Sequence, residues 1–129
     1  MEGQRPLELI LARNLLASLS TPALLTDHEG TVVFYNEAAG RALGQRFEES
    51  GPMSAEEWGQ AHGPFYETGE RIPYEDLELP KQMTQGKAGH GRFHIRSIDG
   101  KTHLIEASGL PIVATGGQRG GMTFFWEPE

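Results

Sequence analysis

Apolar residues recur at Leu7, Ile10, Leu11, Leu15 and Leu19, steps of three and four that fall on one helical stripe, and Leu9 and Leu16 widen it. Pro6 suits a first helical turn, where its missing N–H would have no partner anyway. Ser20-Thr21-Pro22 breaks the pattern, so a helix is predicted from about residue 6 to 18. The period then changes. "ALLT" and "TVVFYN" are rich in β-branched and aromatic residues and flank the turn "DHEG", which reads as a hairpin with Gly30 supplying the positive φ. Asn36 follows as an N-cap, because its side-chain oxygen can accept a free N–H of the next turn. "EAAGRAL" is a short helix with Gly44 beyond its end.

The middle third is turn-rich. Ser54 to Glu57 matches a capping box and predicts a short helix through Trp58. "LPKQMTQGKAG" predicts another, with Pro80 near its start and Gly86 at its end. The last third reads as β. "GRFHIRSI" and "KTHLIEASGL" flank Asp99-Gly100, and "MTFFWE" follows a glycine-rich loop. Five antiparallel strands are expected near residues 23–27, 31–36, 91–98, 101–112 and 120–127.

A two-residue Asp99-Gly100 loop would place Ile95 opposite Leu104 and His94 opposite Ile105. Phe93, Ile95 and Leu104 would then share one face, and Ile98, Ile105 and Ala107 the other. Large apolar residues on both faces of the sheet imply that both are covered. The N-terminal helix is the expected cover of the second face, docked on Ile105, Phe125 and Ile98.

The 129 residues suit one domain with one core, and 17 Gly with 8 Pro favour turns over long helices. The net charge of −7, with scattered basic residues, argues against a nucleic-acid or anionic-lipid surface. There is no cysteine, which removes disulfides, thiolate chemistry and Cys-ligated metals and fits a reducing cytoplasm. No apolar run is long enough to span a bilayer, and the N-terminus does not read as a signal peptide.

In order along the chain, "LLASLSTPALLTDHEGTVVFYNEAAGRALG", "GERIPYEDLELPKQMTQGKAG" and "RFHIRSIDGKTHLIEASGLPI" resemble the opening, centre and long hairpin of a PAS domain, the sensor module of many bacterial signalling proteins. The resemblance covers roughly residues 15–126 and rests on the order of the segments. It implies an α+β fold: a five-stranded antiparallel sheet with short helices on one face, enclosing a core or pocket, and an N-terminal helix. The division it implies is an N-terminal amphipathic helix at 1–20 and a PAS sensor domain at 21–127. Where many members end the last strand with an Asp-Ile-Thr-like signal, this chain has Glu127-Pro128.

Without cysteine, a covalently bound flavin or cysteine-linked chromophore is excluded, and no covalent cofactor is expected. Haem would need an axial ligand. The central helix has no His, only Met83, with His62 and His90 flanking it; His94 and His103 are expected together on an outer face. Surface or rim positions are the simpler account of all five histidines. His90 and His94 are four apart, but His94 is read as lying on a strand, so no helical zinc pair is expected. Glu75, Asp76 and Glu78 read as an acidic turn, Ser97 and Ser108 lack a triad order, and the glycines at 115–121 lack a P-loop Lys-Ser/Thr. The chain is therefore not expected to be an enzyme.

The resemblance implies a cytoplasmic sensory and protein-interaction domain that regulates an attached histidine kinase or nucleotide cyclase through ligand- or partner-dependent change. A structural dimerisation module with a filled core, or a haem or non-covalent flavin sensor, are the alternatives. Candidate lining residues for a small apolar ligand are Phe34, Asn36, Leu43, Met83, Phe93, Leu104 and Phe124, although plain core packing accounts for most of them. Trp58 and Tyr66 are candidates for a lid. The excess of leucines on the first helix predicts a homodimer with Leu7, Leu11 and Leu15 at the interface.

Overall fold

The computed structural model describes residues 7–113, 117 and 119–128. The expected helix start at Pro6 and residues 114–116 and 118 of the expected glycine-rich loop lie outside the described residues, while residues 119–121 of that loop belong to the last strand. Helix α1 runs over Leu7–Ala17 and closes where the Ser18 hydroxyl donates to the Leu15 carbonyl at 2.9 Å. Strands β1 (Ala23–Thr26) and β2 (Val32–Tyr35) are joined by a turn in which Asp27 Oδ1 accepts from the N–H groups of Glu29 and Thr31. Gly30 there has φ +82°. Helix α2 (Glu37–Leu43) ends at Gly44 in the left-handed region, with φ +85°. The Ser54–Glu57 capping box starts α4 (Ala55–His62), with 3.1 Å and 2.9 Å bonds in its two directions. Between them lies α3 (Phe47–Ser50), which the sequence pattern does not announce. A 3-10 turn at Tyr74–Asp76 precedes α5 (Glu78–Thr84). Strands β3 (Gly89–Arg96), β4 (Thr102–Val113) and β5 (Arg119–Trp126) complete the chain.

The five strands form one sheet in the order β2-β1-β5-β4-β3, with every adjacent pair antiparallel. Both outer strands have cover along their free edges. Val32 of β2 exchanges 2.7 Å and 3.0 Å bonds with Met53, and His94 of β3 exchanges 2.8 Å and 3.1 Å bonds with Phe65. Such pairing occupies backbone groups that would otherwise recruit a foreign strand.

The β3–β4 register differs from the expected one by one residue. Phe93 faces Ile105, His94 faces Leu104 and Ile95 faces His103. Ser97 N–H donates to the Lys101 carbonyl at 3.0 Å, and Gly100 takes φ +86°. The hairpin therefore closes with a three-residue loop, in which Ile98 leaves the strand and is 54% exposed. A one-residue slip moves side chains to opposite faces. Phe93, Ile95, Ile105 and Ala107 accordingly share one face, and His94 and His103 do not share one.

The expected docking of α1 is corrected in the same way. Ile105 and Phe125 join Val32, Tyr35, Ala39, Leu43, Ile95 and Ala107 in a core beneath the short helices. Helix α1 instead lays Leu9, Ala12 and Leu16 against Ala23, Leu25, Val33 and Phe34, with Ile112, Met122 and Phe124 at the margin. Burying Leu9 and Leu16 stabilises by about 1.5–3 kcal/mol each. A bulge between Leu25 and Thr26 helps: it lets consecutive residues, Val33 and Phe34, serve the α1 side while Val32 and Tyr35 serve the other. Phe47 packs on both cores, edge-on to Phe34 and Tyr35 with ring centroids 5.5 Å and 5.4 Å apart.

Asn36 joins these layers and is only 2% exposed. Its Oδ1 accepts from Ala39 N–H at 3.0 Å, the expected cap, and also from Ala23 N–H at 3.1 Å. Its Nδ2 donates to the carbonyls of Leu16 at 3.0 Å, Thr21 at 2.9 Å and Leu19 at 3.4 Å. Each buried group left unpaired costs about 1–3 kcal/mol. Asn36→Ala should therefore lower unfolding free energy by about 3 kcal/mol or more in urea titration. Asn36→Asp keeps the shape but turns a carboxylate toward carbonyls, so it should be destabilised at pH 7. It should recover in part below about pH 4, where the protonated acid can donate one bond. An Asn36→Asp protein as stable as the parent at pH 7 would refute this assignment.

Candidate functional site

A cavity of about 1070 Å³ lies between the sheet and the layer formed by α4, α5 and the chain between them. Its sheet wall is apolar: Phe93, Ile95, Ile105, Ala107 and Phe125. Trp58 of α4 and Leu79, Pro80 and Met83 of α5 form the opposite side. The free edge of β3 is extended at His94 by residues 64–72, which fold back on themselves. Tyr66 N–H donates to Glu70 at 2.8 Å, Ile72 N–H donates to Pro64 at 3.0 Å, and Phe65 pairs with both Arg71 and His94. This small flap fixes Phe65, Ile72 and Arg71 at the cavity. The Arg96 guanidinium covers the Phe65 ring at 4.3 Å.

Glycines set how closely α5 approaches the sheet. Gly89 of β3 pairs with Gly109 of β4, and Gly121 lies on the next strand. A Cβ at Gly89 would come within 2.9 Å of the Leu79 carbonyl, and one at Gly109 within 2.6 Å of Met83 Sδ; one at Gly121 would collide with Met83 Cε. Met83 therefore lies in a channel of bare backbone. Glycine inside a strand weakens it but admits such an approach. These glycines are the site-forming residues that sequence reasoning missed. Their signal was an unusual number of glycines within strand patterns.

The proposed lining residues separate. Met83, Phe93 and Leu104 border the cavity. Phe34 and Phe124 pack on the α1 side of the sheet, Leu43 sits in the inner core away from the opening, and Asn36 is occupied by its backbone bonds. Trp58 borders the cavity and stands edge-on to Tyr35 with a 6.2 Å centroid separation. Tyr66 also borders it, 42% exposed, its hydroxyl donating to Asp76 at 3.4 Å. Removal from water, and then the Asp76 charge, raise that hydroxyl above its ordinary pKa. Of the five histidines, His28, His90 and His94 border the cavity along with Met83, while His62 and His103 do not. Among the described residues, no group of three or more His, Asp or Glu is arranged to hold a metal ion.

His62 is wholly buried at the end of α4, its ring 4.7 Å from Trp58. Nδ1 is 2.7 Å from the Arg96 carbonyl, which can only accept, so Nδ1 carries the proton and Nε2 is bare. That Nε2 is buried without a partner. Burial holds the ring below its ordinary pKa, with the Arg96 bond a weaker opposing effect. The unfolded chain then takes up a proton near pH 6.5 that the folded chain refuses. The stability contributed by neutral His62 is present above that pH and is lost as pH falls toward the folded value. His62→Asn, which keeps a donor for Arg96, should flatten the stability profile between about pH 7 and 5. Urea midpoints across this range measure it, and an unchanged slope in the variant would show that other groups govern the dependence.

No family model matches the chain, and no curated protein matches it. Solved structures do. The PAS domain of a protein from Colwellia psychrerythraea superposes with a TM-score of 0.67 at 17% identity, covering 93% of this chain and 96% of that one. The PAS domain of nitrogen regulation protein NR(II) from Vibrio parahaemolyticus gives 0.65 at 17% identity, covering 92% and 98%. A PAS domain from a two-component sensor histidine kinase gives 0.59 at 15%, covering 95% and 97%. With one antiparallel sheet in the order β2-β1-β5-β4-β3 and its short helices on one face, this chain has the PAS fold.

Proposed function

We propose that the chain is a non-catalytic sensory and protein-interaction domain in which a small apolar ligand biases an attached or partner effector, a histidine kinase or nucleotide cyclase. The observation that carries this reading is the cavity. Its volume of about 1070 Å³ and apolar sheet wall match the size and character of small-molecule sites, about 300–1,000 Å³, better than those of a filled core. The signalling role is supported by the shared fold with the nitrogen regulation protein and the sensor histidine kinase. The chain carries no cysteine, which fits a reducing compartment, and the reading places the domain in the cytoplasm.

The cavity can be tested with Nile red, an uncharged apolar dye. It should bind saturably, one per chain. Ala107→Leu extends a side chain from the sheet wall into the same space and should weaken binding about tenfold or more. Dye binding that ignores Ala107→Leu, or no saturable binding, would favour a filled structural module.

The exposed side of α1 supports a second part of the proposal, a homodimer. Leu9, Ala12 and Leu16 face the sheet, whereas Leu7, Leu11 and Leu15 are 65%, 58% and 53% exposed and Ile10 is 47% exposed. A symmetric partner is the simplest cover for this stripe, since two-fold dimers are the commonest soluble oligomers. Leu11→Ser with Leu15→Ser changes only exposed side chains, so circular dichroism should stay as in the parent. Light scattering should show a dimer becoming a monomer. A parent that is already monomeric, or a variant that stays dimeric, removes α1 as the dimer element.

A further inference from the structure

Resting on the reading of the cavity as a ligand site, we infer that its ligand is an amphipathic carboxylate, an acyl or aryl acid whose apolar body fills the cavity and whose headgroup binds Arg71. The inner face of the sheet, Phe93, Ile95, Ile105, Ala107 and Phe125, suits an apolar body, and an ionised group placed against it would lose its hydration without compensation; Arg92 of β3 also borders the cavity but pairs with Glu106 at 3.8 Å. The headgroup must therefore sit among the exposed lining residues, which include Arg71, Arg92, Glu67 and Asp76; of the two arginines, Arg92 is paired with Glu106 on the neighbouring strand.

Arg71 is held there by the backbone on both sides. It pairs with Phe65, and the following residue donates to Pro64 at 3.0 Å. Its guanidinium reaches α4 at Gly59 with Nη2 foremost: a Cβ there would collide with Nη2 and come within 2.9 Å of Cζ. Glycine is the least favourable residue in a helix interior after proline. Its presence at Gly59 is explained by the guanidinium it accommodates. Among the described residues, none accepts a hydrogen bond from Arg71. The nearest counter-charge, Glu56, is 3.6 Å from Nη1 and 71% exposed, a weak and displaceable pair. The Arg71 side chain is itself 45% exposed, and its planar fork of donors, placed at the cavity with only this weak pair, matches a carboxylate in bidentate geometry. Asp76 at the same mouth accepts the Tyr66 hydroxyl at 3.4 Å, and with Glu67 it disfavours a dianionic headgroup.

Decanoate and decan-1-ol share a chain and differ in the headgroup, which makes them the probes. Trp58 borders the cavity while Trp126 lies across the sheet, so fluorescence in a Trp126→Phe background reports binding. Decanoate should bind at least about tenfold more tightly than decan-1-ol. Arg71→Met, which keeps the aliphatic stem, should erase that preference and leave the alcohol unaffected. Gly59→Ala should do the same by displacing the guanidinium, while α4 stays folded or gains stability. A parent without preference, or a preference that survives Arg71→Met, overturns the carboxylate assignment. If Nile red binds and neither ten-carbon ligand does, the assignment falls alone; if none of the three binds, the cavity reading falls with it.

Discussion

The side chain of Asn36 satisfies backbone groups from segments that have no other reason to meet. The end of α1, the Leu19–Thr21 link, the start of β1 and the first turn of α2 all bond to it. Helix ends and strand ends leave polar groups that water cannot reach once the sheet is covered on both faces. A single amide, with an acceptor on one side and a donor on the other, meets both needs. Glutamine is a methylene too long, and a carboxylate has the wrong polarity for the Leu16 and Thr21 carbonyls. Asn36 thus ties the end of α1 to the sheet, on the side where Leu9, Ala12 and Leu16 already pack.

Distance between helix and sheet decides the rest. Helices usually stand off a sheet by the length of interdigitating side chains. Here Gly89, Gly109 and Gly121 remove those side chains under α5, and Leu79 and Met83 come down against backbone. Trp58 and α4 stand farther along the same face, near full-sized residues such as Ile95 and Phe65. The cavity runs between this layer and the sheet, bordered by Leu79 and Met83 at the α5 end and by Trp58 at the α4 end. Its shape is a consequence of where the small residues fall on β3, β4 and β5.

Local chemistry was legible in the sequence, and distant pairing was not. The Asn36 cap, Gly44 and the Ser54–Glu57 box depend on residues a turn apart, and the structure places each as read. Asp99-Gly100 announced a hairpin, but that dipeptide serves loops of two or three residues. The choice was made by Ser97 and Asp99, whose side chains bond to each other while Asp99 also accepts Lys101 N–H at 3.1 Å. The consequence ran down the strand. Ile105 and Leu104 exchanged faces. Separately, Phe34 and Phe124, read as cavity residues, belong with α1, Phe34 being turned there next to the β1–β2 bulge. Arg71 was overlooked because its meaning depends on Gly59, a dozen residues earlier and on another element.

The position of β5 has a consequence for how the chain is made. Residues 119–126 are last in the chain but lie in the middle of the sheet, bonded to β1 on one side and β4 on the other. As the polypeptide leaves the ribosome, β1–β2 and β3–β4 can each close as hairpins, yet neither can join the other. Each exposes a strand edge that awaits the same missing piece. Assembly of the full sheet is therefore a late event, which the two hairpins await with open edges until residues 119–126 emerge.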